Sequence, residues 1–298
     1  MCGIAGLHLR DADLQPRLGE LLSAMLVQLG ERGPDSAGVG VYGDDTLSPP
    51  GEVTVSLLSE APAAALEEAL APRLPGARVL EVGPVRLLSV AAEGPAVLRT
   101  VREELGPKAS VIGTGRGLAV LKGVGGAREI SDMFDLPARR GYQAVGHTRM
   151  ATESAVTLAH GHPFSVREDL CLVHNGSFAN HDSVRRRLAA EGITCDTDND
   201  SEVGARFLGW RLDCGDDLDK ALRRLCETFE GFFTLLVTTA NEFAVVRDAI
   251  ACKPAVIATT PGWVAMASEY RALAQLPGIE EAEIFEPEPE EVHLWERR

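Results

Sequence analysis

The order of predicted secondary structure in the second half of the chain constrains the fold most strongly. From about residue 144 the pattern runs from strands to helices and back to strands, with no regular alternation of the two. The helices are predicted at 181–191, from about 201, and at 218–229, and the later strands at 232–239, 243–247, 255–259 and 263–267. A parallel α/β sheet needs regular alternation, so this grouping favours an α+β fold.

An insert with its own pattern occupies residues 44–145. It follows an N-terminal strand, helix and strand. Within it, strands are predicted at 53–59, 78–82, 85–90 and 110–114, and helices at 61–73 and 95–105. The order βαββαβ is typical of a four-stranded antiparallel sheet with two helices on one face. Titratable residues do not cluster here, so we interpret the insert as a small α+β docking or spacer subdomain.

Charge and composition exclude several classes of function. With 44 acidic and 29 basic residues the net charge is −15, which disfavours binding to nucleic acid or to anionic lipid. No apolar run approaches the ~20 residues of a membrane span, and because the segment MCGIAGLHLRDAD does not have the basic-then-apolar pattern of a signal peptide, none is expected. The six cysteines are scattered without a CxxC pair, as is usual for a reducing compartment. We therefore expect a cytoplasmic protein.

Cys2 is the first candidate for chemistry. If the initiator Met is removed, this residue carries a thiol and a free α-amine. The amine has a reference pKa of about 7.7–8, so it can take the thiol proton near neutral pH. The small residues that follow lead into a strand, which would support the thiol rigidly. The alternative is that a cysteine after Met has no special role.

Asn175 and Gly176 are the second candidate. The side-chain amide of Asn175 and the backbone N–H of Gly176 can together donate to a developing oxyanion. Glycine also lets the backbone approach a substrate closely. The same dipeptide is a strong hairpin signal, so a plain turn is the alternative at this point.

Two charged residues could recognise a free amino acid. Arg149 ends a predicted buried strand, where its guanidinium needs an anionic partner such as a substrate carboxylate. Asp200 could hold an α-ammonium, although capping of the following helix is the alternative. His160 and His162 lack a third ligand at sensible spacing, so no metal site is expected. Together these groups suit a hydrolase acting on the side chain of glutamine.

The chain also resembles a known family through several blocks in a fixed order: MCGIAG, RGPDSAG, GHTRMAT, AHGHPF, VHNG, DNDSEV, RDAIACKPAVIA and ASEYRAL. They resemble the class II glutamine amidotransferases, which are N-terminal-nucleophile hydrolases. The resemblance implies that residues 1–298 form one type-2 amidotransferase domain. Its fold is a four-layer αββα sandwich that carries the insert as an addition.

The resemblance also implies roles for individual residues. The nucleophile is Cys2, after Met1 has been removed, and Asn175 and Gly176 form the oxyanion hole. Arg149 holds the α-carboxylate of glutamine and Asp200 holds its α-ammonium group. Thr152 and His162 belong to the glutamine pocket, and Arg32 lies beside the nucleophile and organises it. No metal or cofactor is expected on this chain.

The sequence of the HNGSFANHDSVRRRL segment is most similar to that of stand-alone amidotransferase subunits in glutamate-synthase-like complexes, including N-methylglutamate synthases. This likeness implies a separate synthase subunit that receives the ammonia, in a hetero-oligomer whose partners carry FMN and iron–sulfur clusters. Two alternatives remain open: a glutamine-binding regulatory subunit without turnover, and a γ-glutamyl hydrolase.

Overall fold

The computed structural model describes residues 2–150 and 158–297. Its strands are β1 (Gly3–Leu9), β2 (Ser36–Tyr42), β3 (Val53–Leu58), β4 (Arg78–Val82), β5 (Val85–Val90), β6 (Ser110–Gly115), β7 (Leu118–Val124), β8 (Gln143–Arg149), β9 (Cys171–Phe178), β10 (Gly231–Thr238), β11 (Glu242–Arg247), β12 (Val256–Thr259), β13 (Trp263–Ala267), β14 (Glu283–Phe285) and β15 (His293–Glu296). Its α-helices are α1 (Leu18–Gln28), α2 (Ala63–Leu70), α3 (Gly94–Leu105), α4 (Ala127–Met133), α5 (His181–Ala190), α6 (Asp200–Asp213), α7 (Leu218–Thr228) and α8 (Tyr270–Leu273). Within those two ranges, no helix has the length and apolarity needed to cross a membrane.

Two antiparallel sheets form the centre of the molecule. The larger has the order β14-β12-β13-β1-β8-β2-β7, and the smaller has the order β15-β11-β10-β9. Apolar side chains from both sheets share one buried core, which includes Leu7 from β1 and Leu236 and Phe243 from the smaller sheet. A side chain on Gly6 would collide with Leu236. The two sheets therefore pack face to face.

Helices cover the outer face of each sheet. The residues predicted to form the apolar stripe of the first helix are all buried in the shared core: Leu18, Leu21, Leu22, Met25, Leu26 and Leu29. This helix, α1, contacts β1 and β8, while α6 contacts β9 and α7 contacts β11 on the other side. The predicted α+β fold with four αββα layers is confirmed.

The insert forms a third sheet with the order β4-β5-β3-β6, covered by α2 and α3. The predicted βαββαβ pattern is confirmed, and its strands and helices lie within residues 53–115. The next strand, β7, pairs with β2 in the large sheet. The predicted range 44–145 therefore includes parts of the main body, because strand patterning does not reveal which sheet a strand joins.

One irregular segment completes the smaller sheet beside β9. The backbone N–H of Phe164 donates to the carbonyl of Leu172 at 2.8 Å, and the reciprocal bond is also 2.8 Å. This bridge covers an edge that would otherwise expose unpaired backbone groups. It also brings His162 close to β9, the strand that carries Asn175, because the rings of His162 and His174 lie 6.3 Å apart.

Candidate active site

Cys2 and Asn175 lie in contact at one end of the two facing sheets. Cys2 is half-buried and immediately precedes β1, which runs between β13 and β8 and is buried along its whole length. Asn175 lies on β9 of the smaller sheet, and its Nδ2 donates to the carbonyl oxygen of Cys2 at 3.1 Å. Face-to-face packing therefore joins two predicted site residues that are 173 positions apart.

Arg32 holds Cys2 from a second direction. Its Nε donates to the same Cys2 carbonyl oxygen at 2.9 Å, and its Nη1 lies 2.6 Å from Oε1 of Glu269. The other Glu269 oxygen lies 2.6 Å from Nε of Arg271. Burial by itself raises the pKa of Glu269, but the two guanidinium groups outweigh it and hold this pKa below its usual value. The first residue of the strand is thus tied to a charged network.

Glu269 was not predicted as a site residue, although it lies within the ASEYRAL block. Its backbone is fixed next to the N-terminal strand, because the backbone N–H of Ile4 donates to Ser268 Oγ at 2.9 Å and that of Ser268 donates to the Ile4 carbonyl at 2.9 Å. An acidic residue two positions after a buried apolar strand often pairs with a basic partner, and the sequence contained this signal.

Gly176 occupies a position that only glycine tolerates. Its φ is +150°, a conformation that residues with a side chain rarely adopt. A Cβ there would also collide with the carbonyl oxygen of Phe232 on the neighbouring strand. Glycine at this position therefore lets β9 keep its close pairing with the neighbouring strand directly after Asn175.

Arg149 ends β8 next to β2. Arg149 is half-buried, and its carbonyl oxygen accepts a hydrogen bond from the backbone N–H of Asp35 at 3.1 Å. Burial is the main cause that lowers the pKa of His147 and of His162, and the positive charge of Arg149 lowers both further. The guanidinium therefore acts on the same part of the interior as the predicted pocket residue His162.

Asp200 is the first residue of α6 and does not cap it. The cap is Asn199, whose side chain accepts the backbone N–H of Ser201 at 2.8 Å. One oxygen of Asp200 accepts the backbone N–H of Phe178, at the end of β9, at 2.8 Å. The carboxylate is thus fixed at the end of the strand that carries Asn175. The alternative prediction, that Asp200 caps α6, is wrong, because Asn199 has this role.

Three imidazoles form a buried cluster beside these residues. The rings of His147 and His162 stack at 4.1 Å, and His162 meets His174 edge-on at 6.3 Å. Burial lowers the pKa of all three, that of His147 to about 3. At neutral pH they are uncharged, so none supplies a positive charge to the site.

Two further predictions concern ligands. The part of the chain that the structure describes contains no group of three or more side chains that could hold a metal ion. His160 Nε2 lies 2.9 Å from a carboxylate oxygen of Asp198. Thr152, predicted to contact glutamine, lies outside the described residues.

Comparison with known proteins identifies the family. A family model described as a glutamine amidotransferase domain matches residues 147–275. The chain is also 46% identical over 301 residues to the glutamine amidotransferase-like protein GlxB of Rhizobium meliloti (strain 1021), covering 100% of this chain and 99% of that protein. The chain belongs to the glutamine amidotransferase family.

Two solved structures support the fold of this amidotransferase. The glutamine phosphoribosylpyrophosphate amidotransferase of B. subtilis matches with a TM-score of 0.62 at 18% identity, and a structure described as the allosteric regulatory enzyme of purine biosynthesis with 0.65 at 19%. Each match covers 98% of this chain but only 47% and 46% of the solved chains, respectively. They support the same four-layer αββα sandwich fold for this chain.

Proposed function

We propose that this amidotransferase hydrolyses L-glutamine with Cys2 as its nucleophile. The contact between Asn175 Nδ2 and the Cys2 carbonyl, at 3.1 Å, carries the proposal. It brings an oxyanion donor to the residue that would hold both the thiol and the base. The proposal requires that Met1 is removed, so that Cys2 begins the mature chain.

The reaction then needs no separate basic side chain. The α-amine of Cys2 takes the proton of its own thiol, and the thiolate attacks the side-chain carbonyl carbon of glutamine. Asn175 and Gly176 stabilise the oxyanion. The amine returns the proton to the leaving ammonia, and water hydrolyses the glutamyl thioester to glutamate. The buried, uncharged histidines agree with this division, since none is required as a base.

Arg149 and Asp200 are assigned to the two ends of the amino acid. The guanidinium of Arg149 offers paired donors to the α-carboxylate. The carboxylate of Asp200, fixed by the backbone N–H of Phe178, offers a negative charge to the α-ammonium. The proposal also assigns Thr152 and His162 to the pocket.

The ammonia is proposed to pass to a synthase subunit of the glutamate-synthase or N-methylglutamate-synthase type. In such a hetero-oligomer, FMN and iron–sulfur chemistry would belong to the partner, while this chain supplies nitrogen. Copurification from the native host is the test. Recovery of a flavin-containing partner supports the assignment, whereas a chain that elutes alone and hydrolyses γ-glutamyl peptides as fast as glutamine contradicts it.

Replacing Arg149 with alanine is expected to raise the KM for glutamine about 10- to 100-fold, because charged hydrogen bonds to the α-carboxylate are lost. The value of kcat should change much less. Steady-state ammonia release measures both constants. Arg128→Ala, on the exposed face of α4, is the matched control and should leave KM unchanged. A fall in kcat with normal KM would refute the assignment of Arg149.

Glu269→Gln is expected to lower kcat roughly tenfold with little change in KM. The neutral amide weakens the hold on Arg32, and hence on the Cys2 carbonyl, without touching glutamine. Glu20→Gln, which breaks an exposed pair with Arg17, is the control. Glu269→Asp should recover part of kcat. If both Glu269 variants lose thermal stability but keep kcat, Glu269 only supports the fold and does not position the nucleophile.

A further inference from the structure

Lys122 is a buried ammonium group on β7 that has no role in the proposed glutamine hydrolysis. Lys122 is only 2% exposed. Among the residues that the structure describes, its Nζ has no hydrogen bond or ion pair, and it lies 5.0 Å from the centroid of the Phe164 ring in a cation–π contact. Burial lowers the pKa of Lys122 to about 8, so the amine is still largely charged at pH 7. A buried charge of this kind is costly unless an anion accompanies it.

Two acidic side chains, Glu202 and Asp196, line the same pocket as Lys122, and both are engaged by other donors. Glu202 accepts the backbone N–H groups of Asp196 at 2.8 Å and of Thr197 at 2.7 Å, together with the guanidinium of Arg206. Arg206 also pairs with Asp196 at 2.6 Å. Both carboxylates therefore have their own partners and leave the Lys122 ammonium without a direct counter-ion.

A pocket of about 100 Å³ lies against Lys122. It is bounded by β6 of the insert, by α6, and by the segment that covers the edge of β9. Ser165 also lines it, and Ser165 Oγ accepts a weak bond of 3.4 Å from the backbone N–H of Thr114, which leaves the hydroxyl proton available to donate. The volume is sufficient for several water molecules or for one small anion.

We propose that this pocket binds a small oxyanion, a carboxylate or a phosphate, with Lys122 as its ion-pair partner and Ser165 as a hydrogen-bond donor. An oxyanion accepts from both groups at once, and it supplies the charge that the buried ammonium lacks. Asp196 and Glu202 also line the pocket, with Arg206 offsetting part of their charge. We therefore expect a dissociation constant on the order of 1 mM, equivalent to about −4 kcal/mol.

The pocket lies beside the predicted glutamine-pocket residue His162. The ring of Phe164 lies 5.0 Å from Lys122 Nζ and 5.0 Å from the ring of His162. Burial lowers the pKa of His162, and the positive charge of Lys122 lowers it further. An anion bound at Lys122 would thus reinforce the segment that carries His162. The binding proposal itself does not depend on glutamine hydrolysis.

The test is calorimetric titration of the full chain with sodium acetate and with sodium phosphate, against sodium chloride at matched ionic strength. Wild-type protein should show saturable binding of acetate, phosphate or both, and the responding anion identifies the ligand class. Lys122→Met should weaken this binding at least tenfold. The control Lys108→Met removes an exposed lysine and should bind as the wild type does.

Thermal unfolding gives an independent readout. In chloride buffer Lys122→Met should be at least as stable as the wild type, because a methionine of similar length removes an uncompensated charge. The oxyanion should raise the Tm of the wild type only. Ser165→Ala is a milder change, and it replaces Lys122→Met as the test variant if that protein does not fold. It should weaken binding about fivefold. No saturable binding to the wild type, or full binding by Lys122→Met, overturns the proposal.

Discussion

Replacing Cys2 with alanine is expected to lower glutamine hydrolysis by more than about 10⁴-fold, to background. Loss of a catalytic nucleophile leaves no group that can form the thioester. Alanine is small enough to permit removal of Met1, so the variant keeps a free α-amine and lacks only the thiol. Ammonia release under saturating glutamine measures the effect, and intact mass establishes that Met1 is absent from both proteins.

The fold should survive this substitution. The residue is half-buried, and its backbone carbonyl, which receives the hydrogen bonds from Asn175 and Arg32, is retained. We expect the free energy of unfolding to change by no more than about 0.5 kcal/mol. Cys252→Ala, which removes an exposed thiol, is the control and should keep full activity. Turnover by Cys2→Ala, or a mature wild-type chain that retains Met1, would end the nucleophile assignment.

Replacing Asn175 with alanine is expected to lower kcat by about 10²- to 10³-fold while KM changes little. The lost amide is the proposed oxyanion donor, and such donors act mainly on the transition state. Asn175→Asp, nearly identical in shape, should be at least as defective because it puts a negative charge where the oxyanion forms. Steady-state kinetics on the purified variants provides the measurement.

The matched control is Asn180→Ala. Asn180 also uses its side-chain amide to hold backbone, donating to Thr228 at 2.9 Å and accepting from Glu230 at 3.1 Å, but it lies beyond the end of β9. It should lose stability and keep kcat. If both variants lower kcat alike, the effect of Asn175 is structural and not electrostatic.

The order of elements was predictable because it depends on local patterning. The period of apolar residues in α1 and the βαββαβ order of the insert both come from spacings of a few residues. The end of the insert was not predictable in the same way. β7 has the pattern of a buried strand, and only its pairing with β2 assigns it to the main sheet.

The candidate site shows the same division at the level of side chains. Asn199 and Asp200 are adjacent and both suit a helix cap, and only the tertiary structure shows that Asn199 caps α6 while Asp200 binds the backbone of β9. Glu269 was missed because its partner Arg32 is 237 positions away. Similarly, the sequence does not show that Lys122 is buried without a counter-ion, since burial depends on packing against distant elements.

By itself, the sequence determined the α+β class, the strand and helix order and the residue types that suit amide hydrolysis, because these follow from short-range periodicity and side-chain chemistry. Only the tertiary structure decided that Asn175 and Arg32 meet at the Cys2 carbonyl. Those contacts exist because two sheets built from distant segments bury their apolar faces against each other, and no local pattern encodes which ends then coincide.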